Sequence, residues 1–276
     1  MNKTEIKNLI EKTTREMIEK SSSAKKILSL AKKHDQKIHF IPRKYRILCG
    51  LLQSLNIQFG NFIEILMKNL VENETRYEII KRYSGEKINT FIINKENDIL
   101  IDEYISMCQS SNEIDLNNEF KLLLEKIVQN NLTNWSAKKD NLSIYSTAKH
   151  DIDLLFKDKE TNKIYYLEIK YNDDHDTGKF VDINRKFIKT YAYLVNEFHI
   201  SDYEEIVPIL FFFTNKKMKG NIYVPEKSNI RRGEAFFKEF LSIKYDEIDK
   251  YLSETAEDPE TLKMFDDLYN EIRQNY

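Results

Sequence analysis

Asp151-Ile152-Asp153-Leu154-Leu155-Phe156, the polar run from Lys157 to Lys163, and then Ile164-Tyr165-Tyr166-Leu167-Glu168-Ile169-Lys170 form the stretch that decides the fold. Two short runs rich in apolar and aromatic residues flank a polar turn, which predicts a β-hairpin. With the turn centred between Glu160 and Thr161, Asp153 lies opposite Glu168 and Asp151 opposite Lys170. Side chains alternate along a strand and cross-strand partners share a face. Asp151, Asp153, Glu168 and Lys170 therefore fall on one face, and Ile152, Leu154, Leu167 and Ile169 on the other. Leu155 and Tyr166 make the charged face apolar toward one end. A slip of one residue in the turn would exchange the faces.

Working outward, Phe187, Ile188, Tyr191, Leu194, Val195 and Phe198 recur at helical spacing. The continuous apolar run Ile206 to Phe213 reads as a strand buried on both faces, with Pro208 tolerated near its start. A last strand is expected near Ile222 to Val224, then helices to the end. Upstream, residues 3–33 read as helix broken at Ser21-Ser22-Ser23, with Ser23 capping the second piece. Pro42 starts a helix carrying Tyr45, Leu48, Leu51, Leu52 and Leu55. Separate helices are expected from about Asn61 to Val71 and from Glu113 to Asn131. The order is α/β: a mainly helical part over 1–140, a catalytic α/β core over 141–245 and an acidic helical tail over 246–276, within one domain spanning 1–276.

The 276 residues are 41% hydrophobic and 32% charged, with six Gly and four Pro, a globular and not a disordered composition. Cys49 and Cys108 match no disulfide framework, metal or redox spacing. No apolar run is long enough for a bilayer, and Met1 to Glu5 lacks a signal-peptide core, so a soluble cytoplasmic protein without membrane partners is expected. The net charge of -2 hides an asymmetry. It is roughly +8 from Met1 to Arg46 and roughly -7 from Asp246 to Tyr276. The basic end can meet a polyanion, or both ends can be solvated helix faces.

Opposed carboxylates repel unless a cation sits between them. Oxygen ligands favour Mg²⁺, which can polarise a phosphodiester and lower the pKa of a bound water. Lys170 can orient or help deprotonate that water. Spacing alone leaves open a surface hairpin with ordinary ion pairs. The apolar context favours a buried sheet, where unused charge is costly.

Asp153 followed by a strand, a turn and Leu167-Glu168-Ile169-Lys170 resembles the D…(D/E)-x-K signature of restriction-like PD-(D/E)xK nucleases. The stretch Glu168 to Phe180 is similar to type II restriction endonucleases, the TdeIII-like group in particular. Ile41-Pro42-Arg43-Lys44-Tyr45-Arg46 and the block Gly50 to Glu64 add to it, with Gly60 and Glu64 matching a G-x-x-x-E helix pattern. His150 departs from the signature's usual Pro. The resemblance implies a restriction-endonuclease-like core, a mixed central sheet flanked by helices. It implies Asp153, Glu168, Lys170 and Glu64 as catalytic residues, with Asp153 and Glu168 holding Mg²⁺. It further implies hydrolysis of double-stranded DNA at a short near-palindromic site such as GGNCC, by a homodimer, beside a companion methyltransferase.

Candidate DNA contacts are the amides Gln53, Asn56, Gln58 and Asn61, which equally suit helix capping. Lys179, Arg185 and Lys186 follow the active-site stretch. Lys216 and Lys217 follow the buried strand, and Arg231-Arg232-Gly233 opens a helix. Asp151 is expected to pair with Lys170, and Asp173, Asp174, His175 and Asp176 to form a solvated turn more than a second metal site. A junction-resolving or repair nuclease on the same core, an RNase, and a non-catalytic DNA-binding protein remain open alternatives.

Overall fold

Three consecutive serines end the first helix. Ser22 Oγ donates to the Ile18 carbonyl at 2.7 Å, and Ser23 Oγ to that of Lys20 at 3.2 Å, drawing the chain out of α1 (Lys3–Ser21). The Ser23 carbonyl then accepts the Ile27 N–H and begins α2 (Ala24–Asp35). Ser23 thus holds the expected start position, but its hydroxyl faces backward. The computed structural model describes residues 3–35, 38–110, 113–136, 145–174, 176–219 and 222–276.

Pro42, whose carbonyl accepts the Arg46 N–H, precedes α3 (Arg43–Asn73). The two helices expected here are one. Gly60 weakens a helix interior by only about 1 kcal/mol, and the apolar series Phe62, Ile63, Leu66, Met67, Leu70 and Val71 is buried beyond it. Then come β1 (Tyr77–Ile79), β2 (Gly85–Asn94), α4 (Lys95–Ser110), α5 (Leu116–Ser136) and β3 (Tyr145–Ile152). The hairpin follows as β4 (Leu154–Asp158) and β5 (Ile164–Lys170), then α6 (Thr177–Glu197), β6 (Ile206–Phe212), β7 (Ile230–Arg232), α7 (Gly233–Phe240), α8 (Tyr245–Ala256) and α9 (Pro259–Asn275).

The chain divides into two compact units, Met1–Leu66 with Ile243–Tyr276, and Met67–Ser242. In the first, Ile27, Ala31, Ile47, Leu51, Leu268 and Ile272 form a small core. Gly50 permits the close approach of α2 to α3, since a Cβ there would lie 3.0 Å from Leu30 Cδ2. Basic residues of α1 meet the acidic tail: Lys3–Glu247 at 2.7 Å, Lys7–Glu254 at 2.9 Å and Arg15–Glu260 at 3.0 Å.

The second unit holds a mixed five-stranded sheet in the order β1-β4-β5-β6-β7, and a two-stranded ribbon of β2 and β3. The hairpin has the expected register, Leu154 opposite Leu167 and Leu155 opposite Tyr166. β6 lies parallel to β5, reached through α6, as the sequence order requires. Leu155, Tyr166, Leu210 and Phe212 face Phe187, Ile188 and Tyr191 of α6. On the opposite face, Phe211 packs on Phe236, and Phe156 on Phe240, both from α7. Helices thus flank the sheet. Pro208 is tolerated because β7 pairs only from Leu210 onward, and the Asn229 side chain serves the Pro208 carbonyl at 2.9 Å.

The last strand is Ile230–Arg232 and not Ile222 to Val224. The latter segment is irregular and its Tyr223 and Val224 are buried in the main cluster, where the Tyr223 carbonyl accepts from Tyr104 Oη at 2.8 Å. Its apolar character comes from that burial. β1, β2 and α4 add to the elements expected. No helix among the described residues is long and apolar enough to cross a membrane.

Candidate active site

Asp153 occupies a bend where the chain leaves the β2–β3 ribbon and enters the main sheet as β4. The β4–β5 ladder stops at Leu154–Leu167. Beyond it the Ile169 N–H donates to Asp153 Oδ2 at 2.7 Å, so a side chain continues what the backbone leaves off. Glu168 and Lys170 follow on the α6 face of β5. Lys170 Nζ lies 2.8 Å from Glu168 Oε1 and 3.4 Å from Asp153 Oδ2, and donates to the Ile169 carbonyl at 2.8 Å. Both carboxylates are buried. Tyr166 Oη donates to Glu168 Oε2 at 3.2 Å.

A second ammonium arrives from α6. Lys186 Nζ is 2.8 Å from Asp151 Oδ1 and 3.7 Å from Glu168 Oε1. The expected Asp151–Lys170 pair is therefore replaced by Asp151–Lys186. β3 has left the hairpin register by Asp151, and α6 brings Lys186 against it. The charges alternate along the row Asp151, Lys186, Glu168, Lys170, Asp153.

These neighbours drive the carboxyls apart. Burial raises the Asp153 carboxyl above its ordinary range, with the Glu168 carboxylate pushing the same way against Lys170. Burial also opposes charge on Glu168, but Lys170 and Lys186 outweigh it and hold that carboxyl below its ordinary range. Asp151 behaves alike, burial being overcome by Lys186. Carboxyls so separated mark a candidate functional centre. Among the described residues, no group of three or more His, Cys, Asp or Glu is arranged to hold a metal.

Residues 2–256 match the family described as type II restriction endonuclease, HinfI. The chain is also 56% identical over 268 residues to the type II restriction enzyme HinfI of Haemophilus influenzae, covering 97% of each chain. This chain belongs to the HinfI family of type II restriction endonucleases. The expected enzyme class and α/β fold are met. No solved structure matches the chain.

The other residues singled out in this HinfI-family chain fall into two groups. Gln53, Asn56, Gln58, Asn61 and Glu64 all lie on α3, in the first unit. Spacings of three, four and four place Gln53, Asn56, Gly60 and Glu64 on one face of that helix. Gln53 also lines a cleft of about 520 Å³ with Lys26, Lys33, His34, His39 and Arg46. In the second unit, Lys179 is exposed in the first turn of α6, and Lys216 is exposed after β6. Arg185 pairs with Asp102 at 2.8 Å, and Lys217 with Glu226 at 3.3 Å.

Arg231 is bound by Glu239 and by the Ser228 carbonyl. Arg232 is held by Glu226 at 2.7 Å, by Asp173 at 3.1 Å and by stacking on Phe212. Both guanidinium charges are thus already met within the protein, and α7 begins after them at Gly233. The acidic loop has structural work: Asp173 is buried against Arg232 and accepts the Met218 N–H, and Asp176 caps α6 through the Lys179 N–H. His175 of that loop lies outside the described residues.

Sequence reasoning put Lys186 among the DNA contacts and missed its place at the centre. The helical phase that Lys186 shares with the buried Thr190 and Tyr193, four and seven residues on, is the signal that would have pointed it toward the sheet.

Proposed function

We propose that Asp153, Glu168 and Lys170 carry out Mg²⁺-dependent hydrolysis of phosphodiester bonds in double-stranded DNA, in the manner of PD-(D/E)xK nucleases. The observation that carries this reading is the pair of buried carboxylates with one lysine ammonium 2.8 and 3.4 Å from them. Asp153 and Glu168 would hold the ion. Their donor set is oxygen only and small, which suits a cation that keeps several of its own waters. When bound, Mg²⁺ supplies polarisation of the scissile phosphate and a lowered pKa for water.

The protein's own groups do the rest. Glu168 is held ionised by two ammoniums and fixed by Tyr166. Lys170 orients the attacking water and offsets charge gathering on the phosphorus. Glu64 joins this chemistry on the strength of its G-x-x-x-E resemblance. The α3 stripe and the exposed Lys179 and Lys216 face DNA. On this reading the whole of 1–276 works as one nuclease.

The site cut is short and near-palindromic, so a two-fold symmetric homodimer presents one centre to each strand. A companion methyltransferase protects the same site in the cytoplasm. The GGNCC expectation rested on the TdeIII-like grouping alone. The resemblance of Glu168 to Phe180 to that group supports it, and mapping of the cut ends tests it.

The test is incubation of unmethylated phage DNA with the protein and Mg²⁺, beside Asp153→Asn. Discrete bands lost in the variant support the reading, and sequencing their ends gives the site. DNA left intact with Mg²⁺ and with Mn²⁺, across several DNA sources, overturns it.

A further inference from the structure

The row Asp151, Lys186, Glu168, Lys170, Asp153 holds three carboxylates and two ammoniums, one between each neighbouring pair. A divalent ion entering this row must displace one ammonium. The two gaps differ. Asp153 and Glu168 are both buried, so their repulsion is felt in the lowest dielectric, and a doubly charged ion gains most there. Asp151 is about half exposed and offers a weaker pull. The two lysines differ as well. Lys170 is the last residue of β5, where the chain turns away. Lys186 sits inside α6 with Asn184, Phe187 and Ile188 buried around it, and its carbonyl accepts from Thr190 Oγ1 at 2.8 Å. Its backbone is fixed by the core, and its ammonium is fixed by Asp151.

From this geometry we infer that Lys186 is a positioning residue standing where a second metal ion would stand, so that the centre takes one divalent cation, between Asp153 and Glu168. Lys186 then stays beside Glu168 Oε1, 3.7 Å away, and neutralises Asp151. The inference rests on the metal assignment proposed above, and it adds the number of ions and the reason for it.

The experiment is a titration of the full-length protein with Mn²⁺, counting bound ions by the loss of the free-ion electron paramagnetic resonance signal, without DNA. The wild type binds one Mn²⁺ per chain. Lys186→Met binds two, and the additional ion is lost again in Asp151→Asn/Lys186→Met. Lys186→Arg keeps the charge and binds one. Lys186→Gln, which still donates to Asp151, replaces the Met variant if that one fails to fold, and it too binds two. A wild type that binds two ions, one of them lost in Asp151→Asn, overturns the inference. So does a folded Lys186→Met or Lys186→Gln that binds one ion with unchanged affinity. Asp153→Asn separates the two readings: if it binds Mn²⁺ as the wild type does, the metal assignment itself falls.

Discussion

The backbone N–H of Ile169 donates to Asp153 Oδ2 at 2.7 Å. One carboxylate thereby closes the end of the β4–β5 ladder and faces the candidate reaction centre. Asparagine keeps an acceptor oxygen for that N–H and alanine does not. Both Asp153→Asn and Asp153→Ala are expected to lower cleavage by at least about a hundredfold. Only Asp153→Ala should also lose stability, by about 1–3 kcal/mol, for the orphaned buried donor. Single-turnover cleavage and thermal unfolding of the two variants check this. An Asp153→Asn protein that cleaves like wild type would remove Asp153 from the chemistry.

Lys170 touches both buried carboxylates. Lys170→Met should lower the cleavage rate by about 10²–10⁴ if the ammonium serves the attacking water. DNA binding measured with Ca²⁺ in place of Mg²⁺ should stay within a few-fold of wild type. A comparable loss in binding would make Lys170 a DNA contact instead.

A Cβ added to Gly60 would meet nothing within 4 Å. Nothing in the protein's packing requires glycine there. Gly60→Ala should therefore stabilise α3 by roughly 1 kcal/mol, seen as a raised denaturation midpoint. On the proposed reading the same variant binds DNA more weakly, because the stripe from Gln53 to Glu64 meets DNA at its barest point. Unchanged affinity would take that face off the DNA.

Arg76 donates to Asp158, and this hydrogen bond holds the Asp158 carboxyl well below its ordinary range, against burial. A carboxyl depressed in the folded state contributes stability that is complete above its unfolded pKa and is lost as pH falls through the folded value. The unfolding temperature of the wild type should accordingly drop on acidification below about pH 4. Asp158→Asn should start lower at neutral pH and show a flatter acid limb. Parallel acid limbs would show that this pair does not govern acid stability.

Asn97 donates to the Ile127 carbonyl and to Asn131 Oδ1, and accepts from Asn130 Nδ2, bracing α4 against α5 in a buried position. Asn97→Leu should cost about 1–3 kcal/mol, since the partners are left without bonds. Urea unfolding of the variant reads the loss directly. An unchanged midpoint would mean that the brace adds nothing.

The hairpin register was legible because the polar turn from Lys157 to Lys163 lies midway between two β-like runs, and pairing about its centre puts the charged residues on one face and Leu154, Leu167 and Ile169 on the other. The long apolar run of β6 and the 3.6-residue phase of α6 were legible for the same reason. The break at Asp153 was not. Asp151 to Phe156 reads as one continuous β-like run with no Gly, Pro or turn signal inside it, so the chain's passage from one sheet to another is unmarked. Lys186 hid its place because its partners lie on strands that only tertiary folding brings to α6. Ile230–Arg232 is short and charged, and it pairs as a strand because Phe211 and Phe212 stand ready beside it. The basic N-terminal helix was legible as charge, but its acidic partners come from the far end of the sequence.

That last arrangement orders the events of biosynthesis. α1 leaves the ribosome early, but α8 and α9, against which it packs, are made only after the whole of Met67–Ser242. At ordinary translation speeds the delay is on the order of ten seconds. The sheet that carries Asp153 and Glu168 can fold during that interval, whereas the unit that carries Gln53 and Glu64 cannot close until the acidic helices emerge. A nascent chain therefore holds its candidate reaction centre and its candidate DNA-reading helix in different states of completion.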